Sequence, residues 1–517
     1  MDILTGLLHG FQVATTPASL GMCILGVVLG TVIGVLPGLG PSATIAMLLP
    51  LTMKLDPTGA MIMLAGIYYG AKYGGSTTSI LLNVPGESSS VVTCIDGYQM
   101  ARKGRAGPAL GMAAISSFIA GTFGVVALML VAPPLAQLSL AFSSPEYFAL
   151  MVMGLAMVVL LAGDSLVKAL LSMLVGLWIS GIGSDLFTAT SRFTFGSVQL
   201  LGGIEFILVA IGVFAVGEVL ANVEPHDPPK MLPVPKGIRN LLPTWDDMKR
   251  CRFAFVNGSV VGFIIGVLPG AGSTIASFIS YGIEKAVSRH PEEFGKGAIE
   301  GVAAPEGSNN AETGGALVPL LTLGIPGSGT TAILLAALTL WGFKPGPLFI
   351  EESPALFWGL VASMYIGNVM LLLLNLPLVG LWAKVLLIPT PYLYAGIATF
   401  ALLGAYSING SVFDVYVMLI IGILGYFLRQ YGFPVAPLII GAILGPLAEQ
   451  QLRRAMSIAD GDFTALVSTP FSIAAYAIVI LVAIVPQFMK RWERRTAEQV
   501  GVLPEFEHAA ASATDKD

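Results

Sequence analysis

The chemistry-bearing residues of this chain are glycines, prolines, hydroxyls and a few carboxamides set between apolar runs. Gly324-Ile325-Pro326-Gly327 leads into Ser328, Gly329, Thr330 and Thr331, and then into the run AILLAALTLW. Proline donates no backbone hydrogen bond and glycine adopts almost any φ/ψ. The spacing therefore predicts one half-helix ending near Gly324 and another starting near Ser328. Irregular backbone at membrane depth is tolerated only inside protein or against a wet cavity. A helix N-terminus in such a place offers free N–H groups and partial positive charge, which suit an anion. The competing reading is a kinked helix packed on its neighbours.

A second stretch has the same character: Asn83, then Val84-Pro85-Gly86-Glu87-Ser88-Ser89-Ser90, preceded by a helix over 57–73 and a segment over 76–83. Gly86, Ser88, Ser89, Gly327, Ser328, Gly329, Thr330 and Thr331 are candidate substrate-binding positions, or plain helix caps. Lys72 is a charge-assisted donor for a carboxylate, or a lysine snorkelling from a helix end. Glu87 is a proton carrier or cation ligand, or an acidic residue favouring a helix start. Asn83 and Asn310 can donate to a carboxylate, and Asn309 can offer its carbonyl oxygen to Na+; all three can equally bond between helices. Gly38, Gly40, Gly270 and Gly272 let backbone carbonyls face a coupling cation, or let helices pack closely.

The elements around these residues are those of a membrane. The 517 residues are 55% hydrophobic and 11% charged, with mean hydropathy +0.82, against about 25% charged in soluble domains. No charged side chain occurs from Ala106 through Pro145, more than the ~20 residues one span needs. The expected fold is an all-α polytopic membrane protein of about 10–12 transmembrane helices. Cys23, Cys94 and Cys251 have no metal or redox spacing, and the four histidines lie outside the strongest apolar runs. HExxH, GxSxG and GxxxxGK[ST] are absent, so neither an enzyme nor direct ATP hydrolysis is expected. No cofactor is expected beyond a coupling Na+ or H+, and no nucleic acid. A channel is the other rival.

Organisation repeats. Gly34-Val35-Leu36-Pro37-Gly38-Leu39-Gly40 matches residues 266–272 at six of seven positions, 232 residues on. Pro85-Gly86 parallels Pro326-Gly327, 241 residues on. Two broken or re-entrant elements per half, in one order, is the pattern of inverted-repeat carriers. The expected units are a first repeat over 1–222, a linker over 223–252, a second repeat over 253–495 and a polar tail over 496–517. Counting positive charges puts the linker, Arg102–Arg105 and the 490–495 cluster on the cytoplasmic side and Lys344 outside. Arg453-Arg454 runs against that count. A polar stretch, 297–314, is expected to precede the broken segment over 314–341.

GVLPGLGPSATIAMLLPLT, YYGAKYGGSTTSILLNVPGE, DGYQMARKGRAGPALG and GGALVPLLTLGIPGSGTTAILL resemble the large membrane subunit of the tripartite tricarboxylate transporters, over nearly the whole chain. The resemblance implies a bacterial inner-membrane protein; the expected orientation, with the C-terminal cluster placed inside by the charge count, is a periplasmic N-terminus and a cytoplasmic C-terminus. The resemblance also implies a small membrane subunit and a periplasmic solute-binding protein as partners. Substrates would be di- and tricarboxylates such as citrate, taken up with cations. The family's asparagines match Asn309 and Asn310.

Overall fold

The computed structural model describes residues 2–36, 40–156, 165–185, 187–221, 232–233, 237–268, 272–385 and 390–481. Its first half runs α1 (Ile3–Ala14), α2 (Pro17–Val35), α3 (Pro41–Thr52), α4 (Pro57–Leu82), α5 (Val91–Met100), α6 (Ala106–Ser139), α7 (Ser144–Ala156), α8 (Leu166–Ser180), α9 (Phe206–Ala210) and α10 (Gly217–Ala221). A π-helical turn, Ile211–Val216, joins α9 to α10. The linker carries α11 (Trp245–Arg250). The second half runs α12 (Arg252–Val267), α13 (Gly272–Val287), α14 (Glu300–Leu323), α15 (Gly329–Leu340), α16 (Phe349–Glu352), α17 (Pro354–Asn375), α18 (Val379–Val385), α19 (Thr390–Asn409), α20 (Val412–Gln430) and α21 (Ala436–Ile458). A last apolar helix, α22, spans Pro470–Leu481. Among the described residues the only sheet is the short antiparallel hairpin β1 (Gly183–Ser184) and β2 (Ser191–Arg192).

This is an all-α polytopic membrane protein. Five helical segments are long and apolar enough to cross a bilayer on their own. On α20, Tyr416, Ile420, Ile423 and Phe427 stay exposed at helical spacing, a stripe suited to lipid. The centre is built differently. Every residue from Gly59 to Leu82 on α4 and from Glu300 to Thr322 on α14 is buried. These two helices need no apolar exterior because protein surrounds them, so they carry glycines, hydroxyls and carboxylates that a lipid-facing helix would expel.

That burial corrects two expectations. The helix over 57–73 and the segment over 76–83 form one helix capped by Asn83, and the polar stretch 297–314 is helical from Glu300 on, as the first part of the helix that ends at Leu323. Gly74, Gly75 and Ser76 would weaken a helix in water. Here Gly74 lets α2 approach, a Cβ there falling 2.3 Å from the Thr31 carbonyl oxygen. Ser79 turns its hydroxyl back to the Gly75 carbonyl at 3.0 Å. Packing has overridden propensity.

The two halves use one packing device. A Cβ on Gly26, Gly30 or Gly34 of α2 would fall 2.1–2.6 Å from the carbonyl oxygens of Met63, Ile67 and Ala71 on α4. A Cβ on Gly258, Gly262 or Gly266 of α12 would fall 2.3–2.7 Å from those of Ala304, Ser308 and Glu312 on α14. The glycines are offset by 232 residues and their partners by 241, the two offsets of the sequence motifs. Small residues at four-residue spacing let backbones touch where no hydrophobic drive separates helix from lipid.

The C-terminal end of the linker is tied down on both sides. Arg105 grips Asp247 with two bonds of 2.7 Å, and Arg250 reaches Glu300 at 2.5 Å and Glu293 at 2.6 Å. Arg453, the exception in the charge count, is paired with Asp185 at 3.0 Å and Glu449 at 2.6 Å. Its charge is locally compensated.

Candidate functional site

Each Pro-Gly stretch forms a tip between two helices. α4 ends at Asn83, in the left-handed region at φ 59°. α14 ends 241 residues later at Gly324, at φ 69°. Proline then holds the preceding residue extended. Glu87 and Ser328 follow as N-caps, of the short 3-10 turn Ser88–Ser90 that leads into α5 and of α15. Both close reciprocal capping boxes: the Glu87 N–H donates to Ser90 Oγ at 3.3 Å, and the Ser328 N–H to Thr331 Oγ1 at 2.8 Å. Gly86 is wedged in place, since a Cβ there would lie 2.0 Å from the Gly34 carbonyl oxygen.

The tips share one cavity of about 480 Å³. Gly40 and Pro41 bring the start of α3 to its wall, and Gly272 and Ser273 the start of α13. Four helix starts, two from each half, therefore face one space. Two hydroxyl contacts join them in pairs: Ser42 with Thr330 at 2.7 Å, and Thr274 donating to Ser88 at 3.0 Å.

Lys72 lies in mid-helix on α4, not at a helix end, and is 3% exposed. It faces the cavity, 3.4 Å from Glu87 Oε1 and 2.5 Å from Ser273 Oγ, with its ammonium 5.4 Å from the Tyr68 ring centre. Glu87 also accepts from Asn309 Nδ2 at 3.2 Å and from the Ser89 hydroxyl. On another wall Arg429 of α20 is ion-paired with Glu218 of α10. Both cations at the cavity are thus already paired with carboxylates. Breaking such a pair costs several kcal/mol, so neither cation offers a bare charge to the cavity.

The other candidates are placed as follows. Gly86, Ser88, Gly329 and Thr330 line the cavity, with Gly40 and Gly272 at its helix starts. Ser89 and Thr331 are buried behind the tips, and Gly327 turns the second tip 3.2 Å (measured from a Cβ built on it) from the Gly266 carbonyl oxygen. Asn83 is an exposed helix cap away from the cavity. Asn310 donates to Ser117 Oγ at 2.8 Å and to the Glu306 carbonyl, on the side facing α6. Gly38 and Gly270 lie outside the described residues.

Sequence reasoning missed Ser42, Ser273 and Thr274, although each lies three or four residues beyond a GVLPG motif. It also missed Arg429 and Glu218, each of which interrupts an apolar run. Glu306 and Glu312 were passed over inside the polar stretch. Glu306 accepts from Ser76 at 2.6 Å and from Thr93, and Glu312 accepts from Tyr68 at 3.0 Å.

The model of the Tripartite tricarboxylate transporter TctA family matches residues 20–440. The chain is 48% identical over 505 residues to an "Uncharacterized 52.8 kDa protein in TAR-I ttuC' 3'region" of Agrobacterium vitis, covering 96% of this chain and all of that protein. It is 49% identical over 233 residues to an "Uncharacterized protein in TAR-II ttuC' 3'region" of the same organism, covering 44% of this chain and 96% of the relative.

Proposed function

This chain belongs to the Tripartite tricarboxylate transporter TctA family, and from that premise we propose that it is the large membrane subunit of a binding-protein-dependent secondary transporter importing organic di- and tricarboxylates, citrate among them, driven by a cation gradient. The family is one of transporters, not enzymes. A small membrane subunit and a periplasmic solute-binding protein complete the assembly, in a bacterial inner membrane with the N-terminus outside and the C-terminus inside. The observation that carries the substrate class is the cavity with four helix starts on its walls.

In this reading the two repeats, 1–222 and 253–495, are inverted about the cavity and joined by the linker over 223–252. Each helix start supplies unbonded N–H groups and partial positive charge, worth about 0.3–1 kcal/mol when exposed and up to about 2 when partly buried. Hydrogen bonds from hydroxyls to a charged group add about 1.5–3 kcal/mol each. One substrate carboxylate takes Lys72 from Glu87 while a second sits at the opposite tip. Glu87, displaced, must gain a cation or a proton, which ties substrate entry to the gradient. The duplicated tips favour a substrate with two or more carboxylates over one with a single charge.

The test is uptake of radiolabelled citrate and shorter dicarboxylates into proteoliposomes holding this chain and the small subunit, with and without the binding protein. Saturable, gradient-dependent uptake that requires the binding protein supports the reading. Conductance of many ions per opening, or equal uptake without the binding protein, contradicts it.

A further inference from the structure

Around the crossing of α4 and α14 the carboxyl groups outnumber the cations. Glu87, Glu306 and Glu312 are 9%, 0% and 1% exposed, and among the described residues Lys72 is the one buried lysine or arginine. Lys72 is committed to Glu87 at 3.4 Å. Glu306 has a hydroxyl donor on each oxygen. Glu312 is satisfied on one side only: Oε2 accepts from Tyr68 and Oε1 has no hydrogen-bond partner.

Among the described buried oxygens without a partner, Ser308 Oγ, Asn309 Oδ1 and Thr313 Oγ1 are the ones within four residues of Glu312 on α14, and the last two lie on the side toward the first tip. Asn309 and Thr313 are each 1% exposed. Other buried helical threonines, Thr31 and Thr322, return their hydroxyls to the carbonyl four residues back. Thr313 does not, and its oxygen stays open. Asn309, Glu312 and Thr313 stand at i, i+3 and i+4, so their side chains share one face of α14, about 100° wide. Asn309 fixes the direction of that face, because its amide nitrogen donates to Glu87 at the first tip. An unpaired buried acceptor costs about 1–3 kcal/mol, and more for a carboxylate. Three on one face would be a standing penalty for a neutral protein interior.

We propose that Asn309 Oδ1, Glu312 Oε1 and Thr313 Oγ1 are ligands of one small monovalent cation, Na+, seated on α14 behind the tip that carries Glu87. Hard oxygen donors suit such an ion, and a set with one carboxylate oxygen and two neutral ones matches a single positive charge better than a divalent one. The ion offsets the excess of carboxyl groups in the cluster. Asn309 links it to Glu87, so occupancy of the cation site and exchange of Lys72 between Glu87 and substrate act on one hydrogen bond. This deepens the reading of a cation-driven carrier, and only its consequence for transport rests on that reading.

The experiment leaves substrate out. The full-length chain in lipid nanodiscs is melted across a NaCl titration, with choline chloride holding ionic strength constant and KCl as comparison. Wild type is expected to gain a saturable rise in Tm with Na+ and little with K+. Thr313→Val, which swaps the hydroxyl for a methyl of the same size, and Asn309→Ala are each expected to raise the half-saturating Na+ concentration at least tenfold. Thr322→Val, nine residues beyond Thr313 on the same helix with its hydroxyl returned to the Val318 carbonyl, is expected to keep the wild-type response. Equilibrium binding of 22Na+ gives the same ranking for any variant whose melt is poorly defined. No saturable Na+ effect in wild type, or wild-type half-saturation in both variants, overturns the proposal and leaves those oxygens to bound water or a proton. Carboxylate transport can survive that result, and Na+ binding can survive failure of the transport reading.

Discussion

The Ser42 hydroxyl lies 2.7 Å from the Thr330 hydroxyl, joining the first turn of α3 to the first turn of α15 across 288 residues. Thr274 bonded to Ser88 is the counterpart contact with the halves exchanged: Ser42 and Thr274 are separated by the 232-residue offset of the GVLPG motif, and Ser88 lies one residue before Ser89, the position that matches Thr330 at the 241-residue offset of the tips. Each half therefore lends a helix start to the tip of the other. Neither half can form the cavity alone.

That relationship is open to a double-mutant cycle. Ser42→Ala and Thr330→Val are expected to share a coupling energy of about 0.5–1.5 kcal/mol, the net worth of one hydrogen bond. Thermal or denaturant melts of the singles and the double measure it. Effects that add within about 0.3–0.5 kcal/mol mean the hydroxyls act independently.

The tips differ in how tightly they are wedged. A Cβ at Gly86 meets the Gly34 backbone oxygen at 2.0 Å, whereas one at Gly327 comes no closer than 3.2 Å to the Gly266 oxygen. Overpacking of this kind costs about 1–3 kcal/mol. Gly86→Ala should fall in that range and lower Tm, and Gly327→Ala should cost clearly less. Equal losses would contradict the geometry of the first tip.

Lys72 is paired with Glu87 in the structure and carries a substrate role in the proposal, and the two can be separated. Lys72→Met strands a buried Glu87 and is expected to cost about 3–5 kcal/mol. Lys72→Met with Glu87→Gln removes both charges and should regain most of that stability, yet neither variant should transport. A stable double variant with wild-type uptake would take Lys72 out of the substrate site.

The linker contributes a pH-dependent latch. Burial pushes the Asp247 carboxyl up, but its hydrogen bonds from Arg105 and Thr244 outweigh this and hold it below the usual carboxylate range. A depressed folded pKa gives stability that is present above the unfolded value of about 3.9 and fades as pH falls through the folded one. Asp247→Asn should thus lower Tm at neutral pH and lose most of its deficit near the acid limit of folding. A deficit independent of pH would assign Asp247 a packing role alone.

The tips were legible because Pro-Gly followed by hydroxyls, twice and in one order, is a local signal. GVLPG at 34–40 and 266–272 exposed the repeat for the same reason. The continuity of α4 through Gly74-Gly75-Ser76, and of α14 through Glu306, Asn309 and Glu312, was not legible. Local propensity speaks against both, and what reverses it is contact with α2 and α12, which no window of sequence contains. Arg429 with Glu218, 211 residues apart, was hidden likewise. Lys72 looked like a helix end only because the helix was expected to stop there.

The central claim is that the helix starts at the two tips hold carboxylate, and one measurement bears on it most directly. Ser88 and Thr330 line the cavity without serving as the N-caps, which are Glu87 and Ser328. Ser88→Val and Thr330→Val should therefore fold and reach the membrane at normal levels. Measured as initial rates of carboxylate uptake in proteoliposomes, each is expected to lose roughly tenfold or more, the value of one hydrogen bond to a charged group. Wild-type uptake in both, at normal protein level, would return these residues to ordinary helix starts and contradict a shared carboxylate site.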